Sequence, residues 1–295
     1  MDACIVSDGD REVTLLPELG ARLHRIRAFG HELLRTPADP EMHRDDPFFW
    51  GGYVMAPWCN RIEPGPTIVD GRTVAPRSNF PDGSAIHGQV YAGRWTRTGD
   101  GRLRIEAGGD GWPWRYEVTL AVRLEAGVIH LELGLVNLAD APMPAGLGLH
   151  PWWRRPTRVA IRGRGVYPDN LMTPAEPRPV AGRFDLRRPR PMPPDLDATW
   201  TRLDEPAVTL AWDGIGVEAT MRAGASLGSR PARLVVVAAS PSGVDAVAIE
   251  PETNAPQGLR RLLRDEPDAL ARLAPGEALR LRIALEIERR PIAAR

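Results

Sequence analysis

The sequence predicts an all-β protein, and three observations support this class. Glycine and proline contribute 29 and 30 of the 295 residues and are spread between short apolar stretches, which is typical of many strands joined by turns. Several segments alternate apolar and polar residues, the spacing of strands with one buried face. Helical periodicity is weak: we expect at most a turn or two at residues 268–273 and find no solenoid repeat. An all-β fold therefore fits best.

The alternating segments predict strands in the middle and at the end of the chain. Residues 102–107 and 116–124 form the first pair, and the glycine-rich segment 108–111 predicts a turn between antiparallel neighbours. Residues 279–287 repeat the alternation near the end of the chain. The clearest strand covers residues 128–136, where alternate apolar side chains are expected to face inward: Ile129, Leu131, Leu133 and Leu135.

Two continuous apolar runs predict strands that are buried on both faces. They cover residues 234–239 and 244–249 and are separated by the turn sequence Pro-Ser-Gly. The segment 174–194 is rich in proline and arginine, but the sequence on either side of it is alike. We therefore expect an ordered loop there rather than a linker, and a single domain over residues 1–295.

The charges and the apolar runs limit the possible partners. The 38 basic and 38 acidic residues cancel, and neither sign forms a long run, so neither nucleic acid nor an anionic membrane surface is expected as a partner. The first ten residues are polar and acidic, unlike a signal peptide, and no apolar run could span a bilayer. We therefore expect a cytoplasmic protein that binds a small molecule.

Two residue types are too scarce for several mechanisms. All 38 basic residues are arginine, and without lysine the chain cannot use Schiff-base chemistry, covalently attached pyridoxal phosphate or a Walker A motif. Cys4 and Cys59 are the only cysteines. They predict two reduced structural thiols rather than disulfides or a thiolate metal cluster.

Polar side chains concentrate in four segments that also contain glycine, proline or tryptophan, as expected around a rigid concave site. These segments are residues 57–65, 85–88, 146–153 and 248–253. In the last two, His150 and Glu250 each end an apolar run and are followed by proline. We expect the prolines to end both strands and expose these side chains, a position that suits a catalytic group on a rigid scaffold.

The order of these motifs resembles that of the aldose 1-epimerase (galactose mutarotase) family. The matching motifs are Asn60-Arg61 with Gly65, His87-Gly88, His150-Pro151-Trp152-Trp153 and Glu250-Pro251-Glu252-Thr253. They extend over most of the chain, and their number and order make the resemblance specific. The resemblance implies a large antiparallel β-sandwich of the galactose mutarotase-like (supersandwich) type. It also implies an isomerase that interconverts the α and β anomers of a cyclic aldose without a cofactor or a metal.

The chemistry of anomer interconversion suits the same residues. The C1 hydroxyl must lose its proton while the ring oxygen gains one, after which the open aldehyde rotates and closes on its other face. One base and one acid suffice. Glu250 is suited to be the base and His150 the acid, and the resemblance assigns them these roles. His87 is expected on the ring-oxygen side, where it would steady developing charge or orient the sugar.

Further residues are predicted to bind the sugar. Arg61, which follows the candidate Asn60, would hold a sugar oxygen by charge-assisted hydrogen bonds, with a surface ion pair to Glu63 as the alternative. Because a sugar ring also has apolar CH faces, Trp152 or Trp58 is expected to form a stacking wall.

Two features leave the identity of the sugar open. The family has a binding aspartate between the second histidine and the glutamate. Asp197 is the nearest match, with Asp195 and Asp213 as alternatives. Trp153, Arg154 and Arg155 come after His-Pro, where the family more often has an aromatic residue followed by asparagine. The two arginines would suit a phosphorylated or acidic sugar, or form a solvated loop pair.

Three other functions fit parts of the pattern. His87, His150 and Glu250 form a two-histidine, one-carboxylate set for zinc or iron, although without a metal-binding spacing. Glu250 and Asp197 could be the two carboxylates of a glycoside hydrolase, which would leave the histidines without a purpose. A carbohydrate-binding module on the same fold is the third. The four other histidines are predicted to be structural: His24, His31, His43 and His130.

Overall fold

The computed structural model describes residues 2–292, and most of its elements are β-strands. The strands of the first part are β1 (Cys4–Ser7), β2 (Arg11–Leu16), β3 (Arg22–Ala28), β4 (His31–Glu32), β5 (Gly52–Met55), β6 (Arg61–Ile62), β7 (Thr67–Val69), β8 (Arg72–Val74) and β9 (Ala85–Ile86). Those of the middle are β10 (Thr96–Gly99), β11 (Arg102–Gly109), β12 (Trp112–Glu125), β13 (Val128–Asn137), β14 (Met143–Ala145), β15 (Gly148–Arg154) and β16 (Arg158–Tyr167).

The last part of the chain continues the antiparallel pattern. Its strands are β17 (Arg178–Pro179), β18 (Leu196–Trp212), β19 (Val217–Leu227), β20 (Arg230–Pro231), β21 (Val235–Ser240), β22 (Ala246–Glu252), β23 (Ala271–Leu273) and β24 (Ala278–Arg289). The α-helices of the described residues are short: α1 (Met42–Asp45) and α2 (Gly258–Leu263). Single 3₁₀ turns lie at Pro17–Leu19, Gly182–Phe184 and Asp213–Ile215. Within residues 2–292 we find no helix long and apolar enough to cross a membrane.

Within residues 2–292, eighteen strands form one antiparallel sheet that curls into two halves. The first sheet half contains β1, β2, β3, β5, β15, β22 and β21 in pairing order. The second sheet half contains β10, β11, β12, β13, β24 and β19. The long strand β18 joins them, because its start pairs with β21 and its end pairs with β19. The predicted large antiparallel sandwich is confirmed.

The predicted meander lies in the second sheet half. β11 and β12 form the expected hairpin, and β12, β13 and β24 are consecutive neighbours. Leu133 of β13 lies opposite Leu120 on one side and Leu281 on the other. All three side chains are buried in a core that also takes residues from the first sheet half. Each such leucine contributes about 1.5–3 kcal/mol by leaving water, and this burial of one face produces the alternation seen in the sequence.

The helical turn predicted at residues 268–273 is wrong. Asp268 has φ of 57°, a left-handed conformation through which a right-handed helix cannot run. The segment after it forms β23, which pairs with β14. The nearby helix lies earlier in the chain, at α2.

The strand ends predicted at Pro151 and Pro251 are also wrong. β15 continues beyond Pro151 to Arg154, and β22 continues through Pro251 by one residue. The two strands pair on either side of this segment but not within it. Proline has no N–H to donate and is tolerated where the ladder needs none. His150 and Glu250 therefore lie inside strands rather than at strand ends.

Candidate active site

A cavity of about 380 Å³ opens on the first sheet half. All seven predicted site residues line it: Glu250, His150, His87, Arg61, Asn60, Asp197 and Trp152. A larger groove of about 870 Å³ elsewhere on the sheet is lined by none of them. The structure thus brings together residues that are up to 190 positions apart in the sequence.

Strand register forms the floor of this cavity. Trp152 lies opposite Ala248, Ala248 opposite Ala239, and Ala239 opposite Asp197. The row runs across four neighbouring strands, with a large ring at one end and a carboxylate at the other. Because the two residues between them have only methyl side chains, the row leaves a hollow above its centre.

The neighbouring row carries the predicted acid and base. The register of β15 and β22 places His150 opposite Glu250, and the next strands place Tyr53 beside His150 and Val237 beside Glu250. His150 Nε2 lies 3.4 Å from Glu250 Oε1. Both side chains are almost completely buried. The two groups are therefore near enough to exchange a proton directly or through one water molecule.

His150 is held as an uncharged ring. The ring of Tyr53 stacks against it, with centroids 4.6 Å apart and an angle of 21°. Burial, followed by the charge of Arg22, lowers the pKa of His150 to about 3. Its Nδ1 atom has no hydrogen-bond partner among the described residues.

The pKa of Glu250 is shifted in the opposite direction. Burial raises the pKa of its carboxyl well above the ordinary value, and the nearby carboxyls of Glu252 and Asp197 add to the effect. Arg61 acts in the other direction. Burial therefore favours the protonated form of Glu250 and the neutral form of His150.

His87 lies at a tight turn beside the pair. Its φ is 60°, and a side chain on the following residue, Gly88, would lie 1.9 Å from the carbonyl oxygen of Ala56. The backbone N–H of Asn60 donates to His87 Nδ1 over 3.3 Å, which assigns the proton of the neutral ring to Nε2. The rings of His87 and His150 meet edge to face at 5.0 Å.

The turn that carries Asn60 also positions Arg61. The Asn60 side-chain oxygen accepts the backbone N–H of Arg61 over 2.9 Å. Arg61 Nε donates to Asp82 Oδ2 over 2.8 Å, and its guanidinium lies 5.1 Å from the centre of the Phe80 ring. Its ion-pair partner is therefore Asp82, and the surface pair considered with Glu63 is not formed.

Two of the three candidate aspartates are occupied by contacts away from the cavity floor. Asp195 accepts the backbone N–H and the hydroxyl of Ser242, so it closes a turn at the cavity edge. Asp213 forms a bidentate ion pair with Arg158 and does not line the cavity. Asp213 therefore lies outside the site, and Asp195, although it lines the cavity, has both carboxylate oxygens engaged by Ser242.

Asp197 faces the cavity from the end of the alanine row. One carboxylate oxygen accepts a hydrogen bond from Asn170 Nδ2, and Asn170 Oδ1 accepts the Thr199 hydroxyl over 2.7 Å. Loss of hydration raises the pKa of Asp197, although its side chain reaches solvent; Asn170 and then Arg61 oppose this shift. Of the three aspartates, Asp197 fits best as a binding residue.

The two candidate tryptophans have different surroundings. Trp152 lines the cavity, donates through Nε1 to the backbone oxygen of Phe48 over 2.6 Å, and packs against Phe49 with ring centroids 5.5 Å apart. Trp58 does not line the cavity: it is buried against Trp112 at 5.0 Å. The alternative of a stacking wall at Trp58 is therefore wrong.

Arg154 and Arg155 do not point to an anionic substrate. The guanidinium of Arg155 donates to the Ser240 hydroxyl, to two backbone oxygens of the turn between β21 and β22, and to the backbone oxygen of the first residue of β22. Arg154 donates to the backbone oxygen of Leu34. Neither lines the cavity. Arg155 is thus a structural clamp on a turn, which is neither of the two roles considered from the sequence.

From the sequence, no role was assigned to the aromatic wall of the cavity or to Glu252, two residues after Glu250. The wall consists of Phe48, Phe49, Tyr53 and Phe80. The dense aromatic run at residues 48–53 was the available signal for three of these, but it has no strand or helix period. Within residues 2–292 no group of three or more His, Cys, Asp or Glu side chains is arranged to hold a metal ion.

Comparison with known proteins identifies the family. The aldose 1-epimerase family model matches residues 4–284. A search of curated protein sequences found no match.

Among solved structures, an Escherichia coli K12 protein provisionally assigned as an aldose 1-epimerase has a TM-score of 0.80 and 19% identity, over 98% of this chain and 99% of that one. A galactose mutarotase-like protein from Clostridium acetobutylicum has a TM-score of 0.78 and 16% identity, over 97% and 94%. Galactose 1-epimerase from Lactobacillus acidophilus has 0.75 and 15%, over 99% and 96%. These likenesses show the shared fold, and the family match over nearly the whole chain shows that this protein belongs to the aldose 1-epimerase family.

Proposed function

We propose that the protein is a mutarotase that interconverts the α and β anomers of an uncharged cyclic aldose. The observation that carries the proposal is the pair formed by His150 and Glu250, 3.4 Å apart on the floor of a sugar-sized cavity. A base and an acid side by side are what ring opening requires, because the C1 hydroxyl and the ring oxygen are attached to the same carbon.

The reaction needs one proton shared between the two groups. Before the reaction this proton is on Glu250, because burial disfavours both the carboxylate and the imidazolium. Moving it to His150 gives a carboxylate and an imidazolium with the same total charge. In that state Glu250 removes the C1 hydroxyl proton and His150 protonates the ring oxygen. The open aldehyde then faces a protonated Glu250 and a neutral His150, and the reverse transfers close the ring on either face.

The surrounding residues are suited to hold the sugar during this exchange. His87 presents its Nε2–H, which can donate to a sugar oxygen that gains charge. Asp197 can accept from hydroxyls at the far end of the floor, and Arg61 can donate to an oxygen nearer the turn. Trp152 and Phe80 supply flat apolar surface for the CH faces of the ring.

The charges around the cavity favour an uncharged sugar. Arg61 is the only basic side chain among the described lining residues, and it is already paired with Asp82. Against it stand the carboxylates of Asp195 and Asp197, and that of Glu250 whenever it acts as base. A phosphate or carboxylate on the sugar would be repelled by the carboxylates and would find no free guanidinium.

Polarimetry tests this proposal. The protein should accelerate the optical-rotation change of freshly dissolved α-aldoses without an added cofactor, and more strongly for neutral than for phosphorylated sugars. Glu250→Gln and His150→Asn should each reduce the rate by about 10²- to 10⁴-fold. Asp213→Asn, a matched carboxyl change outside the cavity, should leave it unchanged. Absence of acceleration for every sugar, with binding still detected by calorimetry, would reject catalysis in favour of a carbohydrate-binding module.

A further inference from the structure

Behind Glu250, β22 carries a second glutamate that the proposed reaction does not use. Glu250 and Glu252 are two positions apart in one strand, so their side chains project from the same face of the sheet. Glu252 has no exposed surface. Its register partners are Gly148 on β15 and Val235 on β21, and neither has a polar side chain.

The absence of a side chain at Gly148 provides the space that Glu252 occupies. A Cβ atom built at Gly148 would lie 3.0 Å from Glu252 Cγ, 2.7 Å from Cys59 Sγ and 2.8 Å from Met55 Cε. The carboxyl of Glu252 is therefore enclosed by backbone, a thiol and a thioether. Such surroundings disfavour a negative charge.

Apart from the neighbouring carboxyl of Glu250, the described residues offer Glu252 no cation and no hydrogen-bond donor. Neither of its carboxyl oxygens has a partner, and the outer oxygen of Glu250, Oε2, has none either. The other titratable groups that face Glu252 are Tyr53 and Cys59, and burial raises the pKa of both, so they stay neutral. Arg61 acts on Glu250 and is not among the groups that shift Glu252.

A proton on one of the two carboxyls removes the repulsion between Glu250 and Glu252. Two ionised carboxylates in contact inside a protein repel each other, whereas a carboxylic acid next to a carboxylate forms a strong hydrogen bond. The side chains of Glu250 and Glu252 are within hydrogen-bonding reach. Burial raises the pKa of Glu252 to about 8. The hydrogen bond between the two carboxyls raises the pKa of Glu250 and lowers that of Glu252, so Glu250 holds its proton more tightly. Once Glu250 has passed that proton to His150 and acts as base, Glu252 keeps the remaining proton, because it is enclosed and Arg61 is not among the groups that shift it.

We propose that Glu252 is a positioning residue: it remains a neutral carboxylic acid at pH 7 and donates its proton to the Glu250 carboxylate, which fixes that carboxylate for the C1 hydroxyl. This inference rests on the proposed mutarotase function. Its consequence is an alkaline limit to activity. When Glu252 ionises, the donor is lost, and the new charge makes Glu250 retain a proton of its own.

The pH profile of kcat in three proteins tests the inference. The wild type should lose activity above about pH 8. Glu252→Gln keeps a donor but cannot ionise, so it should stay within about tenfold of wild type at pH 7 and shift the alkaline fall upward by at least one pH unit. Glu252→Met removes the donor at similar volume and should lower kcat by about 10- to 100-fold with little change in KM. Glu288→Gln, an exposed carboxyl change on β24, should behave as wild type.

An alkaline fall in Glu252→Gln identical to that of wild type would overturn the inference, whether or not Glu252→Met folds. Infrared difference spectra between pH 6 and pH 10 give a readout that does not depend on activity. The wild type should lose a carboxylic-acid carbonyl band that is absent from Glu252→Gln, and the same band in both proteins would also overturn the assignment. If the wild type has no mutarotase activity, the proposed function and the positioning role both fail, while the infrared band still decides whether Glu252 is the neutral carboxyl.

Discussion

The enclosed carboxyl of Glu252 predicts that part of the folding stability is lost as pH rises through the neutral range. Burial raises its pKa from the ordinary 4.5 to about 8. Between these values the folded protein keeps a proton that the unfolded chain has released. The free energy of unfolding therefore falls with pH, by about 1.4 kcal/mol for each pH unit. In total, about 5 kcal/mol of stability that is present at pH 4.5 is lost by about pH 8.

Urea unfolding of the wild type and of Glu252→Gln, followed by tryptophan fluorescence from pH 5 to pH 9, measures this contribution. At pH 5 the wild type should be as stable as the variant or more stable, and at pH 9 the variant should be more stable by several kcal/mol. The buried histidines also have lowered pKa values, but they are present in both proteins and cancel in the difference: His24, His43, His87 and His150.

The size of the effect belongs to the carboxyl pair, because Glu250 and Glu252 titrate together. The refuting result is a stability difference between the two proteins that changes by less than about 1 kcal/mol from pH 5 to pH 9. That outcome would mean that Glu252 is ionised throughout, and that the enclosed site supplies a donor which the described contacts do not contain.

Three further predictions follow from the contacts around the cavity. Gly148→Ala should cost about 1–3 kcal/mol in urea unfolding, because its Cβ would overlap Cys59, Met55 and Glu252; an unchanged midpoint would contradict the enclosure. Arg155→Met should cost about 1–3 kcal/mol through its lost hydrogen bonds, yet leave KM for neutral aldoses unchanged in polarimetry. Asp82→Asn should raise that KM by roughly three- to tenfold, because Arg61 loses its partner; a fall in kcat alone would point to another role.

The fold was predictable because one buried face imposes alternation on the sequence. β13 and β24 show this alternation most clearly, because each buries every second residue in the same core. The helix could not be placed in the same way. Residues 268–273 have a plausible helical pattern, but the left-handed backbone at Asp268 decides their structure, and no periodicity reports it.

The site was predictable as a set of residues but not as a geometry. All seven residues predicted from the sequence line the cavity, whereas the row from Trp152 to Asp197 depends on pairings between β15, β22, β21 and β18. Register across such distances is set by the whole sheet and is absent from any short segment. Trp58 and Trp152 were equivalent as sequence, and only packing distinguishes the core ring from the cavity wall.

The Glu-Pro-Glu sequence of β22 marks the site even though its proline does not end the strand. The proline was expected to end the strand, but the strand continues because the ladder to β15 is unpaired at this position. Alternation then places Pro251 on one face and both glutamates on the other. Glu250 reaches the cavity opposite His150, while Glu252 enters the space left by Gly148. The three residues therefore act as one unit, in which the base that lines the cavity and the enclosed acid behind it are both consequences of strand geometry.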